Sequence, residues 1–354
     1  MSEEFYENRT PRKFRNDVLE TKMRSESMLF RLISFGRMVA FSCVIATSLV
    51  PSLCFADAVA DAAKHAADLK NIKVAAAASG DKAGLPVRIS ATELPARKVH
   101  FLIFSLTRDP FSTPGLGPGA EANGRFLDGL GKAMIRMFPN DPNRIRVASV
   151  ADFNQAQFES QVKLLTDVTS EDTIVCYMST HGSYNNDGHH LYMNDGSAVL
   201  RKVLFKALKD KGARQTVFIT DACANVPTGS AAPGFLGASV PPATVYAFCD
   251  LLFNFKGNLN INGARPPVLD PNKPGGDRTG QQGWYSISSG VDGGGMFTRA
   301  FMRVAVYEKS ADWKEFFANL SVFTLDEGRR FMGPNSPLQT QNPALLDENG
   351  ILIP

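Results

Sequence analysis

Gln215-Thr-Val-Phe-Ile-Thr-Asp-Ala-Cys-Ala224 is a short apolar run that ends on an acid and a thiol. Its β-branched and aromatic residues show no polar alternation, which suits a strand buried on both faces of a parallel sheet. Cys223 then stands just past the carboxyl end of that strand, the edge at which open α/β sheets bind ligands. Position alone makes this thiol a candidate nucleophile, and a nucleophilic thiol needs a nearby base to generate the thiolate.

Working outward, Asp172-Thr-Ile-Val-Cys-Tyr-Met-Ser-Thr-His-Gly182 repeats the pattern of apolar run and polar tip. If the two strands lie side by side, His181 supplies an imidazole as base, and Gly182 lets a substrate carbonyl approach backbone N–H groups. Cys223 follows His181 by 42 residues, room for the loop, helix and strand of a right-handed crossover. Between them, Asp187-Gly188 and Asn194-Asp195-Gly196 signal a hairpin. Ser197 to Lys211 reads as a helix with Val199, Leu200, Val203, Leu204 and Leu208 on one face.

Two strands ending in His-Gly and Asp-x-Cys, in that order and at that spacing, resemble the caspase-like cysteine peptidases, in particular the metacaspase-like branch. Asp221 stands where the animal caspases have Gln two residues before the thiol. Ala224-Asn225 match neither the Arg-Gly of caspases nor the His-Ser common in metacaspases. Trp284 to Gly290, Ser-rich at its end, and Gly295-Met-Phe-Thr-Arg-Ala300 resemble the family's next strand and helix, and Gln339 to Pro343 resembles the closing strand of bacterial relatives. The resemblance covers Lys98 to the end. It implies an α/β fold, a caspase-like sandwich with a mostly parallel central β-sheet flanked by helices on both faces.

It also implies a chemistry. His181 and Cys223 form a catalytic dyad, and the backbone N–H groups of Gly182 and Cys223 hold the oxyanion. Asp221, two residues before the thiol, attracts a cationic side chain, so cleavage is expected after Arg or Lys. Asp109 and Ser288 are carried over as further substrate-binding positions. In such enzymes the segment after the thiol holds processing sites; here that segment is the Pro-, Gly- and Asn-rich region 225–283, with one apolar insert at Val245 to Phe255. Its Lys256, Arg265, Lys273 and Arg278 are candidate self-cleavage sites. No cofactor is expected: metacaspases often need calcium, but no acidic cluster here supports it, and His189-His190 reads as a polar loop pair rather than a metal site. Two alternatives stand beside this reading, a catalytically silent caspase-like binding module and a His/Cys peptidase of another family. The absence of a Gly-x-Ser-x-Gly elbow argues against a serine hydrolase.

The rest of the 354-residue chain fits around this domain. With 44% hydrophobic and 21% charged residues it is globular by composition, and its net charge of +3 comes without a basic run, so the expected partners are peptides or proteins and not nucleic acid. The five cysteines, at positions 43, 54, 176, 223 and 249, show no CxxC pair, and Cys176 and Cys249 sit in apolar runs as buried thiols. Arg31 and Arg37, the apolar run Met38 to Val50 and the small residues before Asp57 read as a signal peptide, with Met23, Met28 and Met38 as alternative starts. Cleavage is expected after Ala56, giving an exported protein without a stable membrane span, and an uncleaved anchor is the alternative. Residues 57–97 are alanine-rich and read as a linker or loosely docked arm, with His65 exposed. The domain then runs from 98 to 354: a strand Val99–Leu106 with a structural His100 at its start, a helix Glu121–Phe138, a strand Arg144–Val150, a helix capped by Asn154 with Phe158, Val162 and Leu165 inward, and a last amphipathic helix Ala311–Phe323.

Overall fold

The computed structural model describes residues 53–82, 84–108, 116–185, 187–224, 245–266, 285–286, 294–332 and 341–353. The chain divides into two units, Met1–His65 and Ala66–Pro354. Of the first, only residues 53–65 are described, as the beginning of helix α1 (Leu53–Lys82).

The second unit is built on strands β1 (Val87–Arg88), β2 (Val99–Ser105), β3 (Ile145–Ala151), β4 (Thr173–Ser179), β5 (Gly182–Asn185), β6 (Gly188–Tyr192), β7 (Ala198–Leu200), β8 (Gln215–Asp221), β9 (Phe255–Asn262), β10 (Tyr285–Ser286), β11 (Gly294–Gly295) and β12 (Ala344–Leu345). Its helices are the remainder of α1, then α2 (Gly117–Arg136), α3 (Gln155–Leu164), α4 (Arg201–Lys209), α5 (Tyr246–Phe253), α6 (Met296–Tyr307) and α7 (Trp313–Met332). The main sheet has the order β1-β9-β8-β4-β2-β3. Its five longer strands are parallel, while β1 and β12 pair with β9 antiparallel. This is the expected mostly parallel α/β sheet.

Every residue of β2, β4 and β8 is buried, which is why these strands read as unbroken apolar runs. Alternate side chains feed two cores. Phe101, Ile103, Tyr177, Val217 and Ile219 pack with α2, α5, α6 and α7 on one face. Leu102, Phe104, Cys176, Met178 and Phe218 pack with α3 and α4 on the other. Chain order reverses at β2: β3 lies on one side of it, and β4, β8 and β9 extend the sheet on the other. Asn154 caps α3 through a reciprocal capping box with Gln157.

Four expectations change. Region 225–283 is not one loop, because residues 246–262 within it form α5 and β9, the latter paired parallel to β8 from Gly257 to Asn262. The alternating Asn258, Asn260 and Asn262 depress strand propensity. Asn260 and Asn262 are nonetheless buried, because Arg201 supplies donors to both. Lys256 accordingly lies inside β9, paired with Val87 of β1 and ion-paired with Glu93 at 2.8 Å, in a paired strand and not in a loop as expected of a processing site. The helix after the hairpin begins only at Arg201, since residues 198–200 form β7, and Val203 is exposed instead of inward. Residues 57–97 include most of α1, whose Ala76 joins the first core, and β1. The His65 side chain lies outside the described residues.

Candidate active site

The parallel pairing of β4 with β8 aligns Ser179 with Asp221, so the two strands end level. Thr180 N–H donates to the Asp221 carbonyl at 3.2 Å and ties the tips together. His181 and Cys223 each stand two residues beyond their strand, both half-buried. The His181 carbonyl accepts from Tyr192 N–H at 3.0 Å, and the Thr180 hydroxyl donates to the Tyr192 carbonyl, which fixes the β5–β6 hairpin to the β4 tip.

Gly182 is required by proximity. A Cβ on it would lie 2.2 Å from the Cys223 carbonyl oxygen, 2.8 Å from His189 Nε2 and 3.0 Å from the Ala222 Cβ. Only a residue without a side chain lets the His-Gly tip pack on the thiol-bearing segment.

His189, on β6, is buried and its Nε2 hydrogen-bonds the Cys223 carbonyl at 2.8 Å. A carbonyl only accepts, so Nε2 carries the proton. Burial, and secondarily the Arg201 charge, pull the His189 pKa down to about 3, and the ring is neutral at working pH. Reading His189 as a merely polar loop residue is therefore corrected, because the hairpin folds back over the sheet edge and carries it inside. His190 is half-buried, with Nδ1 at 3.2 Å from the Gly188 carbonyl.

Behind the thiol segment lies a second polar group. Asn262 Nδ2 donates to the carbonyls of Ala222 (3.1 Å) and Ala264 (2.6 Å). Its Oδ1 accepts from the Thr220 hydroxyl at 2.6 Å and from Arg201 Nη1 at 3.4 Å. Arg201 is fully buried; it also donates to Asn260 Oδ1, the Ile261 carbonyl and the Thr220 hydroxyl, and its guanidinium stacks 4.6 Å from the Phe218 ring centre. Burial lowers its pKa to about 9, so it stays cationic at neutral pH.

Asp221 is fully buried on the opposite face, at the start of α6. Its Oδ2 accepts from Thr298 Oγ1 (2.5 Å), Thr298 N–H (3.3 Å) and Asn123 Nδ2 (3.3 Å). Thr298 is the third residue of α6, so the carboxylate takes up an N-terminal amide of that helix, where negative charge is favoured. Gly295 lies against it: a Cβ there would meet Asp221 Oδ2 at 2.0 Å. Asn123 Nδ2 also bonds Ser179 Oγ at 2.9 Å, and its Oδ1 accepts from Gly295 N–H at 2.8 Å. Asp221 near this helix pushes the Tyr177 phenol pKa up further, beyond the larger effect of burial.

The structure thus brings His181, Gly182, Asp221 and Cys223 to one end of the β4–β8 pair. Asp109 and Ser288 lie outside the described residues, as do Lys273 and Arg278. Cys176 and Cys249 are buried, and burial raises both thiol pKa values, that of Cys249 to about 12. His100 is buried at the far end of β2, its pKa lowered chiefly by burial. Among the described residues no three His, Cys, Asp or Glu side chains gather as a metal site, and no helix is long and apolar enough to cross a membrane. Arg201, Asn262 and Asn123 have no site role assigned from the sequence, where His189 reads as a polar loop residue and Thr298 only as part of the 295–300 stretch. The Asn alternation in β9 points to Asn262, and the hairpin turn signals to His189.

No family model matches the chain, and no curated protein is similar to it at a significant level. Among solved structures it is similar to caspase-1 from Spodoptera frugiperda, with 14% identity and a TM-score of 0.45 over 75% of this chain and 96% of that one. It is also similar to a protein from Geobacter sulfurreducens, with 15% identity and a TM-score of 0.42 over 70% and 92%. A third is the Drosophila initiator caspase Dronc, with 14% identity and a TM-score of 0.42 over 77% and 91%.

Proposed function

We propose that this chain is a caspase-like cysteine endopeptidase of the metacaspase-like branch, working through a His181–Cys223 dyad and cleaving after Arg or Lys. One observation carries the reading: β4 and β8 end in register, and the His-Gly tip packs directly on the Cys223 carbonyl. A base and a thiol on adjacent, level strand ends are the arrangement that nucleophilic acyl transfer needs.

In this reading the Cys223 sulfur attacks the scissile carbonyl and forms a tetrahedral intermediate, whose oxyanion is met by the N–H groups of Gly182 and Cys223. His181 takes the thiol proton as the sulfur attacks and gives it to the departing amine as the C–N bond breaks, and water then hydrolyses the thioester to release the acid and return the thiol. Asp221 supplies the preference for a basic side chain. The donors that fix its Oδ2 are neutral, so these bonds hold the carboxylate without cancelling its charge. Asp109 and Ser288 complete the substrate site, and self-processing falls at Arg265, Lys273 or Arg278. The proposed chemistry takes no cofactor. Export through the segment ending at Ala56 belongs to the same proposal; an intact mass that includes residue 40 would remove it.

The test is turnover of fluorogenic peptides carrying Arg, Lys or Asp before the reporter, with and without calcium, with Cys223→Ala as control. Cys223-dependent turnover of Arg or Lys peptides is expected. Turnover only after Asp would keep the peptidase and overturn the Asp221 assignment. No turnover at all would favour a binding module.

A further inference from the structure

We infer that His189 and Asn262 are positioning residues that hold the Cys223 oxyanion amide in place by clamping the two peptide carbonyls on either side of Cys223. The inference rests on the peptidase reading and assigns it a part that neither the dyad nor Asp221 supplies.

The peptide groups around a nucleophile have two soft rotations each, so their N–H groups point usefully only if something holds the planes. Here both planes are held from behind. Asn262 Nδ2 takes the Ala222 carbonyl at 3.1 Å, and His189 Nε2 takes the Cys223 carbonyl at 2.8 Å. In a trans peptide the carbonyl and the following N–H point in opposite directions. Holding the Ala222 carbonyl against Asn262 turns the Cys223 N–H, an oxyanion donor of the proposed mechanism, away from it, and holding the Cys223 carbonyl against His189 fixes the far side of the nucleophile, on which Gly182 packs. The clamp comes from two separate elements, β9 and the β5–β6 hairpin, and both clamping side chains are buried.

Each clamp has its own reason to point the right way. An asparagine amide can turn over, but Asn262 Oδ1 is claimed by the donors of Thr220 and Arg201, which leaves Nδ2 for the two carbonyls. Arg201 thereby orients the amide that orients the nucleophile's peptide. His189 is kept a neutral single donor by burial and by that same guanidinium, and it faces Gly182, Tyr184 on β5 and its neighbour His190. Gly182 closes the arrangement, since its backbone packs close to the Cys223 carbonyl from the hairpin side.

The test separates oxyanion stabilisation from thiol reactivity in the full chain. Alkylation of Cys223 by iodoacetamide displaces iodide at a saturated carbon and develops no oxyanion, whereas peptide cleavage does. His189→Phe removes the donor and keeps the bulk, Asn262→Asp keeps the partners of Oδ1 and removes the donor to Ala222, and His189→Gln restores an amide donor near the position of Nε2. His189→Phe and Asn262→Asp are expected to lower kcat on the order of 10- to 100-fold, somewhat less than outright loss of an oxyanion donor. KM and the Cys223 alkylation rate should hold, and His189→Gln should recover much of the turnover. Wild-type kcat in His189→Phe and Asn262→Asp would overturn the clamp while leaving the peptidase standing. Equal losses in alkylation and turnover would also overturn it, by placing the damage in the dyad or the fold. Absence of turnover in the wild type would remove the peptidase reading and this role with it.

Discussion

Gly182 and Cys223 touch backbone to backbone across the ends of two parallel strands, close enough that a single added carbon would sit 2.2 Å from the Cys223 carbonyl oxygen. The obstructing atom is main chain and cannot swing aside. Gly182→Ala should therefore separate the His181 tip from the thiol segment, with a loss of about 1–3 kcal/mol of stability as in other overpacked sites. Urea denaturation measures the stability, and Cys223-dependent turnover, expected to fall more than 100-fold on the order of a lost oxyanion donor, measures the displacement.

Asp221 is a hydrogen-bond acceptor at the start of α6, and in the proposed function it has a second, separable task as a negative charge for the substrate. Asp221→Asn keeps an oxygen for Thr298 and removes the charge, whereas Asp221→Ala removes both. The first is expected to fold with near-native stability and lose the preference for Arg and Lys over neutral residues. The second should lose in addition about 1–3 kcal/mol, the cost of leaving buried donors unmatched. Thermal melts beside a peptide panel separate the two, and an Asp221→Asn enzyme that still prefers Arg would refute the charge assignment.

What the sequence made legible follows from which residues alone determine their surroundings. Thr173–Ser179 and Gln215–Asp221 are buried on both faces, so each reads as a strand without knowledge of its neighbours, and the polar residue after each run marks the site. The capping box of Asn154 and Gln157 is equally local. β9 was hidden because Asn260 and Asn262 are strand residues only in the presence of Arg201, which is distant in sequence and itself sits in an ordinary-looking helix start. His189 was hidden for the same reason. Two adjacent histidines after a turn look alike, and only the fold of the hairpin over the β8 tip buries one and leaves the other half-exposed. Asp221 was legible as an acid beside a thiol; its helix-capping contact depends on α6, which begins 75 residues later.

The low pKa of His189 fixes a pH dependence. In the native state the ring stays neutral down to about 3, while in the unfolded chain it protonates near the ordinary 6.5. The unfolded state therefore binds the extra proton between these values, and stability is lost as pH falls through that window, with a slope of at most about 1.4 kcal/mol per pH unit for the one proton. His100 contributes in the same direction. The contribution of His189 is thus the difference between wild type and His189→Gln, whose stability should fall less steeply from pH 6.5 to 4. Parallel curves from urea titrations at several pH values would contradict the buried neutral ring.

Arg201 offers the strongest stability prediction, because it is a buried cation whose hydrogen bonds go to neutral oxygens of Thr220, Asn260, Ile261 and Asn262. Lysine has three donors on a flexible stem where arginine has five in a rigid plane, so Arg201→Lys leaves some of these acceptors unmatched while keeping a desolvated charge. A loss of about 2–4 kcal/mol is expected, in the range for breaking buried charged networks. Arg201→Met removes the charge cost but abandons every acceptor, and should lose a similar amount. The two variants part company in turnover. Lysine can still reach Asn262 Oδ1 and hold the amide that grips the Ala222 carbonyl, whereas methionine leaves that amide to Thr220 alone. At temperatures where both are fully folded, Arg201→Met is expected to have the lower kcat, and equal kcat in the two would show that Thr220 suffices to orient Asn262.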